Sequence, residues 1–202
     1  MAPDLARARA YALDRLAREL SPLLTYHSLG HTRDDVLPAA QRLAALAGIT
    51  GEALLLLETA SIYHDLGFVV QREDHESISI AIAEAVLPGL GYTPGQLNVI
   101  RDLINATRLP QTPRSFLAEI LTDADLDVLG RDDYWARSDA LRAEWAAFGV
   151  HSTDTEWYQG QVEFLKGQHY FTPMARALRD AQKQVNLAGL AGVLAKLNGT
   201  AP

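Results

Sequence analysis

Between Ala53 and Phe68 the chain passes from four consecutive leucines (54–57) through Glu58-Thr-Ala-Ser-Ile-Tyr into His64-Asp65-Leu-Gly-Phe68. A leucine run of this kind belongs in a helix inside a core. Burying a histidine and an aspartate unpaired at its end would cost on the order of several kcal/mol, and a metal ion would satisfy both. Helix neighbours project roughly 100° apart, yet a long imidazole and a short carboxylate can still converge on one ion. Gly67 offers a stopping point, which leaves the pair at a helix end, where a pocket can open.

The rest of the chain also reads as helix, and strand alternation is scarce. Asp4 to Leu20 carries apolar residues at helical spacing and stops at Ser21-Pro22. Thr32-Arg-Asp-Asp places acidic residues in the first turn of the next helix, which Gly48 ends. Thr50 is expected to cap the helix that carries His64, and Asp74 the helix from about His75 to Leu87. Thr93-Pro94, Thr112-Pro113 and Thr172-Pro173 each pair an N-cap hydroxyl with a proline at the first helical position. Gly130 is expected to close the Asp125 helix, Asp132 or Asp133 to open another that ends near Gly149, and Thr153 with Glu156 to form a capping box. These signals predict an all-α fold of roughly nine helices with angled packing and no internal repeat.

A chain of 202 residues fits one domain with a substantial core. Net charge of −7 argues against duplex nucleic acid as a partner, since that binding needs clustered Lys and Arg. With no cysteine, disulfides, thiolate metal sites and cysteine nucleophiles are all excluded, so any metal must sit on His, Asp, Glu and water. Charges interrupt Met1 to Leu20 too often for a signal peptide, and no run is long enough for a membrane span. The expected location is the cytoplasm.

Two further segments carry the candidate chemistry: Tyr26-His27-Ser-Leu-Gly-His31-Thr32 upstream, and Asp123-Ala-Asp125-Leu-Asp-Val-Leu-Gly130 downstream. Taken in order with His64-Asp65, they resemble the HD superfamily of metal-dependent phosphohydrolases, whose pattern is a histidine, then His-Asp, then a later aspartate. The resemblance runs from about Leu23 to Tyr134. It implies an HD-type helical core over about 23–134, a C-terminal helical extension over about 135–202, and His31, His64, Asp65 and Asp125 as metal ligands.

Two imidazoles and two carboxylates independently suit one divalent ion such as Mn, Fe, Co, Ni, Zn or Mg, with positions left for water and a phosphate oxygen. Asp123 stays open as the alternative last ligand, because the spacing to Asp125 is one residue shorter than in many relatives. On a helix the two aspartates point about 200° apart, so both do not easily face one centre.

Asp65, His75 and His27 are the expected catalytic residues. His27 either orients a ligand or faces substrate, or is an exposed loop histidine. His75 either protonates a leaving group or caps its helix. Relatives with two metals add two histidines between the doublet and the late aspartate; only His75 is available, and Ile104-Asn-Ala-Thr107 occupies the place of the second.

Arg33, Arg108 and Arg131 are the candidate phosphate-binding residues. The expected function is hydrolysis of a nucleotide or another small phosphorylated molecule. A silent metal-binding regulatory module and a dinuclear-iron oxygenase are the alternatives. The aromatic segment from Trp157 to Phe171 is expected in the core, covering the pocket mouth or packing a homo-oligomer.

Overall fold

The computed structural model describes Ala2 to Gly199, and among these residues it contains nine α-helices and no strand. They are α1 (Leu5–Glu19), α2 (Leu37–Leu46), α3 (Gly51–Tyr63), α4 (His75–Val86), α5 (Pro94–Thr107), α6 (Phe116–Asp125), α7 (Tyr134–Ala147), α8 (Asp154–Gly167) and α9 (Pro173–Leu197). The all-α expectation is met. Among the described residues no helix is long and apolar enough to cross a membrane.

The leucine-rich α3 is the central helix, packed by α1, α2, α5 and α6. Its second half is buried all round from Leu56 to Tyr63, apart from the partly exposed Glu58. The two hydroxyls within it return their protons to the preceding turn, Thr59 to the Leu55 carbonyl and Ser61 to that of Leu57, both at 2.8 Å. Buried polar groups are thereby satisfied without leaving the helix. One apolar cluster runs from Ala8 in α1 to Leu190 in α9, so the C-terminal helices share the core of the N-terminal ones.

Several predicted caps are present. Thr93 and Thr153 each form a full capping box, and Thr172 accepts from Ala175; a further cap comes from Asp4, which accepts from the Arg7 amide. Three are corrected. α6 starts at Phe116 under the Ser115 hydroxyl, leaving Thr112-Pro113 in the preceding loop. Thr50 holds the N-cap position of α3 without a side-chain bond to the helix. Asp74 adopts a left-handed conformation (φ 55°), and its carboxylate turns to Ser77 and Arg108 instead of the α4 amides.

Ahead of α2, residues 31–36 form a wider π-helical turn, with the Leu37 amide bonded to the Thr32 carbonyl. Such bulges recur at functional sites, and His31 opens this one.

Candidate metal centre

His31, His64 and Asp65 are all buried, and one ligand atom from each lies within 4.8 Å of the others; such a group could hold a metal ion. Asp125 completes the arrangement. His31 Nε2 lies 3.5 Å from Asp65 Oδ2 and 3.3 Å from Asp125 Oδ1, and His64 Nε2 lies 3.4 Å from each of the same two oxygens. These separations exceed good charge-assisted hydrogen bonds, about 2.7–2.9 Å. They match the roughly 2.9–3.4 Å edges of an octahedral or tetrahedral shell with bonds of about 2.0–2.1 Å.

A second observation supports the fit. His64 Nε2 and Asp65 Oδ2 are buried with no hydrogen-bond partner among the described residues, a costly state for a native core. His64 Nδ1 faces the Ser61 carbonyl at 2.8 Å, which places a proton on that nitrogen and turns Nε2 toward the carboxylates.

The surrounding charge favours a cation. Burial works against the His64 imidazolium, yet Asp65 and Asp125 outweigh it and hold its pKa well above 6.5. Burial likewise opposes both carboxylates, but the imidazoles hold Asp65 well below its usual range and Asp125 at about 2.

The turn after α3 is clamped to α4. Ser79 Oγ donates to the His64 carbonyl and accepts from the Gly67 amide, both at 2.7 Å. Gly67 is required by crowding, since a Cβ there would lie 2.0 Å from the His75 carbonyl oxygen. That close approach brings His75 to the site, its Nε2 3.4 Å from Asp65 Oδ1. Asp65 thus faces His31 and His64 with one oxygen and His75 with the other. The His75 ring takes no helix amide, and its Nδ1 contacts the Arg72 carbonyl at 3.1 Å.

The two candidate aspartates of α6 separate cleanly. Asp123 is buried away from the imidazoles, where it accepts from the backbone amides of Phe171 (2.7 Å) and Thr172 (2.8 Å) at the start of α9. Asp125 alone of the pair faces His31 and His64. The turn just after it is fixed by α2 and α9. Asp127 takes Arg42 and Arg179, and Asn186 donates to the carbonyls of Leu129 and Arg131. Gly130 lets the α9 backbone in, because a Cβ there would meet the Arg179 carbonyl oxygen at 2.4 Å.

His27 is half-buried rather than an exposed loop histidine. Its Nδ1 bonds Glu144 Oε1 at 2.6 Å, and its ring stacks on Phe68, which stacks in turn on His75. Glu144 is fully buried in α7 and also accepts from the Tyr26 and His27 amides, at 2.8 and 3.0 Å. Burial opposes its charge, but these bonds hold its carboxyl below the usual range. Nothing in the sequence marks Glu144, one of two acids in α7 with Asp139.

A cavity of about 590 Å³ opens onto Asp65, His75 and Asp125. Of the three arginines expected to bind phosphate, only Arg108 lines it, bonded to Asp74 at 2.6 Å. Arg33 is exposed and paired with Asp34, while Arg131 bridges Asp35 and Asp133. Neither lines the cavity. Arg137 takes their place. It lies in the cavity wall 5.1 Å over the Tyr26 ring, with one nitrogen on Asp35 and a buried Nε that has no partner among the described residues.

No protein family, curated protein or solved structure matches this chain.

Proposed function

We propose that this chain is a metal-dependent phosphohydrolase of the HD type, acting on a small phosphorylated molecule in the cytoplasm, with nucleotides the first class to screen. The observation that carries the reading is the convergence of His31 Nε2, His64 Nε2, Asp65 Oδ2 and Asp125 Oδ1, with two of these atoms buried and otherwise unpartnered. A divalent ion held by these four residues would supply Lewis acidity and bring a water near ionisation at neutral pH.

The chain's own residues supply the rest. Arg108 and Arg137 flank the cavity with positive charge for the phosphate oxygens, the main need of phosphoryl transfer. His75 is the group that returns a proton to the leaving oxygen: burial disfavours its charged form, but Asp65 and Glu76 outweigh this and raise its pKa. His27, held by Glu144 and stacked on Phe68, keeps that stack aligned with His75.

Metal analysis of protein purified without chelator, followed by a phosphate-release screen with several divalent ions, tests the reading. About one ion per chain with metal-dependent release supports it. Metal-free protein that neither binds added ions nor releases phosphate overturns it.

One contact favours a two-ion site instead, the 3.4 Å approach of His75 Nε2 to the free Asp65 oxygen. Against it, the α5 position near Thr107 offers a hydroxyl that donates back to Ile104.

A further inference from the structure

We propose that the cavity wall built by α7 and α8 is a subsite for an extended apolar group, so that the substrate is an amphiphilic phosphate ester with its charged head at Asp65, His75 and Asp125. The inference rests on the phosphohydrolase reading for the head and on separate observations for the tail. At about 590 Å³ the cavity is far larger than a phosphate needs and lies within the range of small-molecule sites. Toward α7 and α8 its apolar lining includes Leu141, Trp145, Val150, Trp157 and Phe164.

The polar groups in this part of the wall are mostly engaged with one another. Tyr134 and Ser138 hydroxyls reach the same Gln161 Oε1 at 2.8 and 3.5 Å, and Glu156 closes the capping box with Thr153. The Gln161 amide nitrogen is left as a donor, and Trp157 Nε1 and Arg137 Nε are buried without a partner among the described residues. These donors are few beside the aliphatic and aromatic side chains, so an apolar group gains burial along most of the wall, whereas a nucleobase would pair only part of its polar edge.

The lip and floor agree. Trp145 (39% exposed) and Val150 (50% exposed) leave large apolar side chains at the cavity. Gly160 lies in the interior of α8, where glycine weakens a helix, and a Cβ there would meet nothing within 4 Å. Gly160 lines the cavity, and a side chain there would extend into open space.

The test is binding of butyl-, octyl- and dodecylphosphonate, below their micelle concentrations, to the metal-loaded protein by calorimetry, with adenosine monophosphate in parallel. Affinity should climb with chain length, at most about 4-fold per methylene, and octylphosphonate should bind more tightly than the nucleotide. Gly160→Leu should flatten the chain-length dependence. Phe164→Ala should lower it, while Gly192→Leu, on α9 and outside the cavity, should keep it.

A flat series, or tighter binding of the nucleotide, overturns the subsite. If chain-length-dependent binding is found but alkyl phosphates release no phosphate, the subsite stands and the hydrolase reading fails. Equal hydrolysis of methyl and octyl phosphate retires the subsite and leaves the hydrolase.

Discussion

Exchanging Asp123 or Asp125 should give opposite phenotypes, although the two lie two residues apart on α6. Asp123 accepts two backbone amides at the entrance of α9, at 2.7 and 2.8 Å, from a buried position. Each hydrogen bond to a charged acceptor is worth about 1.5–3 kcal/mol, and the Thr172 amide left behind is buried. Asp123→Ala should therefore destabilise by about 3–5 kcal/mol. For a chain of this size that lowers Tm by roughly 6–20 °C at about 2–4 °C per kcal/mol. Metal per folded chain should stay at the wild-type level.

Asp125→Ala removes the oxygen that reaches both His31 and His64. It should lose most of the bound metal while keeping helical circular dichroism at 25 °C. Thermal denaturation with and without chelator, alongside metal analysis, reads both effects. Loss of metal in Asp123→Ala with retention in Asp125→Ala would refute the placement of the last ligand.

His75→Ala should leave metal content unchanged and cut turnover about 10²–10⁴-fold; a halved metal content would show a two-ion site, and oxygen consumption would then become the assay. Gly130→Ala should destabilise strongly because its Cβ would sit 2.4 Å from the Arg179 carbonyl oxygen, whereas Gly160→Ala should stabilise by about 0.5–1 kcal/mol; urea denaturation separates the signs. Glu144→Gln should cost about 2–3 kcal/mol at pH 7 through lost charge-assisted bonds to the Tyr26–His27 segment. The Glu144 carboxyl is held below its ordinary 4.5, so its contribution is present above that pH and fades as pH falls through the lowered value. The gap between wild type and Glu144→Gln should narrow in denaturation curves taken below about pH 4.5. A constant gap would show that the charge is immaterial.

Local chemistry made much of this protein legible in one dimension. Helix ends are decided within a few residues, so Thr93, Thr153 and Thr172 mark their caps without reference to the rest of the fold. The leucine run identifies the buried helix, and the polar pair at its end identifies where a site must lie, because desolvation penalties need no tertiary detail. What sequence could not decide were relations between distant segments. Asp123 and Asp125 differ only in what faces them, the amides of α9 for one and two imidazoles for the other. Arg33 and Arg131 lie outside the cavity lining, while Arg137 and Glu144 reached the site from α7, more than 70 residues beyond His64 in the chain. Gly67 and Gly130 carry no φ requirement and are explained only by a second backbone arriving against them. Packing brings such partners together, and packing is a property of the folded whole.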